Sequence, residues 1–299
     1  GLTAARDLTF GAGNAGRKSQ SFTLINRAAP NVRVRMREGS SAPACSTDNF
    51  TIRPQSFSAV SSSANADPKG SDGSATPVVK AGVAFTLTAN TDKPGYNGQP
   101  KANKGLLEWV KVDDGTGTLV GGPPVGGRPA PGTGTLDGST PGNLTFATAA
   151  TATTGNGASG IFTYDEAGYF RFKKYGVYDD TFTAASGDVA NGDCIADTTN
   201  DKNFSNTLSS GKYGCNFGNT AVTSHFGRFI PDHFDTAVVQ ACVAGNFTYA
   251  GQPIPLTITA RNQGGGVAQN YSDAFSRQVA LTARDIKDTA DNPGPGAFA

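Results

Sequence analysis

The sequence predicts an all-β protein, built of tandem β-sandwich domains with long polar loops. The 39 glycines, together with many Thr, Ser and Ala residues, favour short strands joined by turns. Apolar and polar residues also alternate along several segments, as in 256–261, where Leu256, Ile258 and Ala260 occupy every second position. Finally, the same strand patterns recur at a long spacing. Hydrophobic content is only 37%, but 18 Phe and 8 Tyr residues supply large side chains for buried faces.

The recurring patterns indicate a duplicated domain. Two pairs of segments match: NFTIRPQSF at 49–57 with GRFIPDHF at 227–234, and TLTAN at 86–90 with TITAR at 257–261. In the first pair, Pro54 and Phe57 correspond to Pro231 and Phe234, which lie 177 residues further on, and the offset of the second pair is 171. Solenoid repeats are much shorter, about 20–50 residues.

This duplication predicts three domain segments. Residues 1–42 are interpreted as the C-terminal strands of a preceding β domain, 43–225 as a complete β-sandwich with long insertions, and 226–299 as the start of a second, truncated β-sandwich. Because the first segment lacks opening strands, we expect the chain to be a fragment of a longer protein.

Individual strands are predicted from alternation and turn residues. In the first segment, Phe22 and Leu24 indicate one strand, and a second strand follows in which apolar side chains at 32, 34 and 36 alternate with arginines. The remaining predicted elements are a hairpin over 106–120 that turns at 113–115, a strand at 144–149, and a last strand at 279–283.

The stretch GIFTYDEAGYFRFKK (160–174) predicts two strands joined by a tight corner at 166–168. Its pattern of acid, Gly, aromatic and apolar residues resembles the corner that leads into the sixth strand of immunoglobulin-like sandwiches. Phe170 occupies the place of the corner tyrosine, so the usual hydroxyl hydrogen bond cannot form. SQSFTLINRAAPNVRV (19–34) resembles a diverged copy of the same strand, corner and strand. The predicted domains are therefore immunoglobulin-like.

Composition narrows the function classes. The net charge of +1 gives no indication of nucleic-acid binding, and the arginines at 33, 35 and 37 are interpreted as the solvent-exposed face of a strand. Four Cys, two His and no CxxC motif favour disulfides in an oxidising compartment. Of three possible connectivities we favour Cys194 with Cys215, which leaves Cys45 with Cys242, although either of these two could pair with sequence outside this chain. No apolar run is long enough to span a membrane as a helix.

Candidate metal sites are weak. Asp193, Asp197, Asn200 and Asp201 lie close together in the sequence and offer oxygen ligands for calcium, but their spacing matches no EF-hand and Asx residues are ordinary turn formers. His225 and His233, with Asp232 and Asp235 nearby, could bind zinc, yet a strand would place His225 and Asp232 on opposite faces. We predict no resident metal or other cofactor.

Catalytic motifs are missing from the sequence. It contains no GxSxG and no P-loop. The acidic pair Asp165 and Glu166 is better explained by the predicted corner than by glycoside hydrolysis. Trp109, Tyr249 and Tyr271 are candidates for a carbohydrate platform, with core packing as the competing interpretation.

An ordered set of motifs resembles a known family. GRFIPDHFD is followed by a single Cys, FTYAGQP, a strand that ends Ala-x-Asn, and NY, and CSTDNFTIRPQSF (45–57) resembles the block ahead of it. This order is similar to the MSHA (mannose-sensitive haemagglutinin) pilus biogenesis family of MshQ and its relatives, over most of residues 20–290. The resemblance implies a large exported protein of Gram-negative bacteria, encoded with a type IV pilus system and without an assigned catalytic activity or site residues.

We therefore expect a non-enzymatic structural or adhesion protein at the outer cell surface, which acts as a tandem β-sandwich spacer. Its expected partners are pilus subunits or other cell-surface proteins, with self-assembly through edge strands near residues 20–37 as a further route. The alternative is a carbohydrate-binding adhesin module that uses calcium, and a secreted hydrolase ranks third.

Overall fold

The computed structural model describes most of the sequence in separate stretches. The described residues are 6–21, 25–63, 79–103, 106–110, 136–138, 155–182, 194–195, 210–240, 247–272, 276 and 278–282.

Strands dominate the described residues, which contain no α-helix and one short 3-10 helix, Ala12–Asn14. In chain order the strands are β1 Ala29–Val32, β2 Arg35–Met36, β3 Ala44–Cys45, β4 Phe50–Ile52, β5 Phe57–Ser62, β6 Val79–Lys80, β7 Phe85–Thr91, β8 Lys101–Ala102, β9 Leu107–Val110, β10 Leu136–Gly138, β11 Gly157–Tyr164, β12 Gly168–Phe172, β13 Val177–Asp179, β14 Phe217–Gly218, β15 Phe226–Ile230, β16 His233–Val238 and β17 Leu256–Arg261.

Two four-stranded sheets form what we call the central sandwich. The first sheet has the order β10-β11-β7-β5, with every neighbouring pair antiparallel. The second has the order β6-β15-β12-β9, in which β6 runs parallel to β15 and the other pairs are antiparallel. In immunoglobulin nomenclature, strands A to G correspond to β5, β7, β9, β10, β11, β12 and β15, and β6 corresponds to strand A′. The first sheet therefore has the order D-E-B-A, and the second has the order A′-G-F-C. This is the strand arrangement of an immunoglobulin-like sandwich, as the sequence predicts.

An aromatic core fills the space between the two sheets. Along β7, Phe85, Leu87 and Ala89 are buried at alternate positions, as the period of a half-buried strand requires. Phe170 lies at the centre of the cluster, with its ring 4.9 Å from that of Tyr164 and 5.3 Å from that of Phe226. Because few positions are apolar in this sequence, the core is built mainly from Phe and Tyr rings.

A polar insertion between strands F and G is attached to the sandwich by its own small sheet, β14-β13-β8. The buried hydroxyl of Tyr96 donates to the carboxylate of Asp179, which also accepts from the backbone NH and the hydroxyl of Thr181, both at 2.7 Å. Burial, followed by the nearby Asp179 charge, raises the pKa of Tyr96. This pair connects the loop after β7 to the insertion.

The duplication is visible in the strand pairing. β16 pairs antiparallel with β17, as strand A (β5) pairs with strand B (β7), and we call β16 and β17 the C-terminal hairpin. Likewise β1 pairs antiparallel with β4, as strand F (β12) pairs with strand G (β15), and we call β1 and β4 the N-terminal strand pair. At each copy, the G-type strand continues through a proline, Pro54 or Pro231, into the next A-type strand.

The strand pairing does not coincide with the predicted limits of the middle segment, 43 and 225. β15 lies inside the second sheet, with Phe226 and Phe229 in the aromatic core, so the central sandwich extends past residue 225 to Ile230. At the other end, β4 pairs with β1, so residues 43–53 belong with the N-terminal strand pair. The prolines at 54 and 231 mark the boundaries because they cannot donate to a ladder.

Several predicted strands differ from the structure. The alternating segment at 32–36 is broken, since β1 ends at Val32 and Met36 is exposed in β2, which pairs with the short β3. Residues 278–282 form no strand. Their counterpart in the central sandwich, strand C (β9), pairs with strand F, and no F-type strand accompanies the C-terminal hairpin among the described residues. The predictions for 22–24, 111–120 and 144–149 lie outside the described residues.

Candidate functional site

The most distinctive polar arrangement lies where the central sandwich meets the loop after β17. Glu166 sits at the corner between β11 and β12 and is nearly inaccessible to solvent. Its Oε1 accepts from the backbone NH of Gln269 at 3.0 Å, and its Oε2 accepts from the NH of Asn270 at 3.0 Å and of Ala167 at 3.3 Å. A carboxylate with both oxygens bonded to fixed NH groups acts as a clamp between two parts of the chain.

Further contacts surround this clamp. The side-chain amide of Asn262 donates to the carbonyl of Asp165 at 3.1 Å, and the NH of Gln263 donates to the carbonyl of Ala81 at 2.9 Å. We call the contacts of 80–82 and 165–167 with 262–270 the C-terminal junction.

A glycine makes the close approach at this junction possible. Gly82 has φ of +86°, and a Cβ there would lie 2.9 Å from Cβ of Gln263. Any other residue would therefore be strained in its backbone and would also push the loop away.

A partly exposed ion pair lies beside the C-terminal junction. Nζ of Lys80, at the end of β6, lies 3.3 Å from a carboxylate oxygen of Asp232, which follows Pro231. Hydrogen bonds from His233 first, and then from Lys80, lower the pKa of Asp232. Because the Lys80 side chain is about half exposed, this ion pair should contribute little to stability.

The pKa of the Glu166 carboxyl group is shifted upward by opposing influences. Burial raises the pKa of its carboxyl group, the three backbone NH donors lower it, and the neighbouring Asp165 raises it again, so that the net direction is upward. Asp165 and Glu166 are adjacent, as the sequence shows, but the oxygens of Glu166 point at main-chain NH groups of another segment.

The favoured cysteine pair is present as a disulfide. Cys194 and Cys215 are joined, with their Cα atoms 5.0 Å apart. Cys45 is exposed with a free thiol and Cys242 lies outside the described residues, so a second pair stays a prediction.

The predicted metal ligands are not brought together within the described part of the chain. Asp193, Asp197, Asn200 and Asp201 all lie outside the described residues. Within the described stretches, no group of three or more His, Cys, Asp or Glu residues could hold a metal ion.

The two histidines lie in different environments. His233 is paired with Asp232 at 2.9 Å on the exposed β16. His225, by contrast, is buried beside Arg171, and burial followed by that guanidinium lowers its pKa to about 4.

The aromatic residues predicted as a carbohydrate platform also lie in different environments. The ring of Tyr271 packs against Phe234 at 5.6 Å. Tyr249 is 70% exposed and contacts the ring of Phe247 at 5.4 Å, in the loop between β16 and β17. The side chain of Trp109 lies outside the described part of the structure.

Sequence reasoning missed the C-terminal junction and the pairing of Tyr96 with Asp179. Both depend on residues that lie far apart along the chain, and single-residue patterns carry no signal for such contacts. The one available signal was the acid at the predicted corner.

Fold and site together define a class: an all-β protein of tandem immunoglobulin-like units joined at a polar junction. The family model described as DUF6701, third domain, is similar to residues 214–297, which include β15, the C-terminal hairpin and the 262–270 loop of the junction. No curated protein and no solved structure shows significant similarity to the chain. No helix among the described residues is long and apolar enough to cross a membrane.

Proposed function

We propose that the chain is a non-enzymatic structural spacer of the bacterial cell surface, associated with type IV pili, in which immunoglobulin-like units follow one another without flexible linkers. One observation carries this proposal: a G-type strand runs through a proline directly into the next A-type strand. Only two residues separate β15 from β16, and four separate β4 from β5. Units connected in this way extend end to end.

Two further findings support the proposal. The similarity of residues 214–297 to DUF6701, third domain, fits the resemblance to MshQ and its relatives over that segment. The Cys194–Cys215 disulfide fits an oxidising compartment outside the cytoplasm. Pilus subunits or other surface proteins are the partners that this proposal implies.

Small-angle X-ray scattering of the full chain tests the spacer shape. A compact domain of this length would have a radius of gyration of about 19 Å. We expect a clearly larger value and an elongated distance distribution. A radius near the compact value would contradict the spacer.

The pilus association needs a separate test. The full chain, immobilised, should capture purified pilus subunits, and Val32→Pro should weaken capture if the N-terminal strand pair contributes an edge. Val222→Pro, at an exposed apolar position outside the strands, controls for the introduction of a proline, and circular dichroism of Val32→Pro, a change at a buried position, checks that the chain remains folded. Absence of capture by the wild-type chain would remove the pilus part of the proposal and leave the shape result unchanged.

A carbohydrate-binding adhesin is the second candidate, and the exposed pair of Tyr249 and Phe247 favours it. Two solvated rings in a loop can stack on a sugar. A glycan array with and without calcium should show binding that Tyr249→Ala abolishes and Tyr213→Ala, an exposed tyrosine elsewhere, preserves. Silence under both conditions would eliminate this candidate.

A further inference from the structure

The contact between units occurs twice in the chain. At the C-terminal junction, corner residues immediately before strand F (β12) bind the loop that follows strand B of the hairpin (β17). At the other end, Arg27 and Ala28 immediately precede the F-type strand β1 and contact the loop that follows strand B of the central sandwich (β7).

The second contact is as close as the first. The NH of Ala28 donates to the carbonyl of Pro94 at 2.8 Å, and Ala28 is almost fully buried. Gly95, with φ of +84°, lies so close that a Cβ there would meet the carbonyl oxygen of Ala28 at 2.6 Å and the side chain of Arg27 at 2.7 Å. We call these contacts the N-terminal junction.

Both junctions use main-chain groups as partners. The NH groups of Gln269 and Asn270 are bonded at one junction, and the carbonyl of Pro94 is bonded at the other. Main-chain groups of a packed loop are fixed in direction, unlike long side chains, so a contact made to them restricts rotation as well as distance.

We propose that this contact between the F-strand corner of one unit and the B-strand loop of the next is a repeated junction, which fixes the orientation of successive units. The partner that the corner surface fits is therefore another unit of the same type. The inference rests on the tandem spacer proposed above and deepens it: the spacer is a stiff rod with one repeating angle, and not a string of freely rotating beads.

Hydrogen exchange of the full chain tests the C-terminal junction. The isosteric change Glu166→Gln replaces one acceptor oxygen with an NH₂ group that faces a backbone NH. The amides of Gln269 and Asn270 should then exchange at least tenfold faster, whereas Glu38→Gln, an exposed carboxylate in another segment, should leave them unchanged. Protected amides in β7 and β11 show that the central sandwich remains folded.

Two glycine-to-alanine substitutions, one at the N-terminal junction and one elsewhere, test that junction. Gly95→Ala should accelerate exchange of the Ala28 amide at least tenfold. Gly251→Ala is the matched control, since Gly251 has φ of +81° but no atom within 4 Å of the place that a Cβ would take. Both variants carry the same backbone strain, and only the first introduces a steric clash at the junction.

Distances between the units provide a direct measure of rigidity. Spin labels at Ser61→Cys and Thr257→Cys, with the native Cys45 and Cys242 changed to Ser, should give a narrow distance distribution that broadens in Glu166→Gln. Unchanged exchange at Gln269 and Asn270 together with an unchanged distribution would overturn the fixed junction. Neither readout needs a pilus subunit or a glycan. An elongated scattering profile with unprotected junction amides would keep the spacer and remove only its stiffness.

Discussion

Nη1 of Arg171 lies 3.2 Å from Nε2 of His225, while the same guanidinium is bonded to the carboxylate of Glu108. Arginine can only donate, so Nε2 of His225 accepts and the ring is neutral with its proton on Nδ1. Protonation would remove this acceptor and place a second positive charge beside Arg171.

This pair predicts a loss of stability in mild acid. The pKa of His225 is about 4 in the folded chain and 6.5 ordinarily, so between these values the unfolded chain binds more protons. The free energy of unfolding should therefore fall as the pH falls from 6.5 to 4, by at most roughly 3 kcal/mol. Urea unfolding across this range should show a smaller pH dependence in His225→Gln than in wild type. His233→Gln, at the exposed histidine, should retain the wild-type slope, and equal slopes in all three proteins would contradict the assignment.

Glu166 predicts a pH dependence of the opposite sign. Its folded pKa is raised above 4.5, so the folded chain binds the proton more tightly than the unfolded chain. Its contribution to stability is greatest below 4.5 and is lost as the pH rises through the folded value. Thermal unfolding of the His225→Gln background, with and without Glu166→Gln, should reveal this trend as a difference between the two melting curves. A difference that does not vary with pH would show that burial does not control this carboxyl group.

Phe170 should be the most costly single position in the core. Its ring is fully buried and contacts Phe85, Tyr164, Phe226 and Phe229. Phe170→Ala should lower the free energy of unfolding by about 3–5 kcal/mol. Phe10→Ala, at a ring that is mostly exposed, should change it by less than about 0.5 kcal/mol. Chemical denaturation followed by circular dichroism measures both.

Tyr96→Phe tests the attachment of the polar insertion. Among the described residues, loss of the hydroxyl leaves the buried Asp179 carboxylate with its two Thr181 donors, which should cost about 1–3 kcal/mol. Tyr213→Phe, at an exposed ring, serves as the control. If the two variants unfold at the same denaturant concentration, the bond to Asp179 contributes nothing.

The disulfide should stabilise the insertion mainly through the unfolded chain. Cys194 and Cys215 lie 21 positions apart in the sequence, and closing a loop of this size is worth about 3 kcal/mol. The double change to Ser should lower the unfolding midpoint and remove its dependence on reductant. An unchanged midpoint in the double variant would contradict this contribution.

The all-β fold, the immunoglobulin-like arrangement and the corner at 166–168 could be predicted because each has a local signal. Alternation along β7 and β17 identifies strands, and the spacing of Glu166, Gly168 and Phe170 identifies the corner. The duplicated motif also predicts that an equivalent pair of strands A and B occurs twice in the chain, because Pro54 and Phe57 match Pro231 and Phe234.

The domain boundaries and the junctions could not be predicted in the same way. Phe226 and Phe229 begin a repeated motif, so the sequence suggests that they open a unit, whereas long-range pairing with β12 shows that they close the previous one. Likewise, the apolar residues Val279 and Leu281 alternate as a strand would, but a strand forms only where another strand supplies its ladder. The clamp at Glu166 joins residues more than 100 positions apart, beyond the reach of any local pattern.

The position of β15 between β12 and β6 has a consequence for the order of folding. The A′ strand is made early and its parallel neighbour G comes roughly 150 residues later, so closure of the second sheet depends on contacts that are very distant along the chain. During synthesis from the N-terminus, the edges of β6 and β12 that pair with β15 have no partner strand until β15 has been made. Only two residues separate β15 from β16, so the strand that completes the central sandwich is followed at once by the first strand of the C-terminal hairpin.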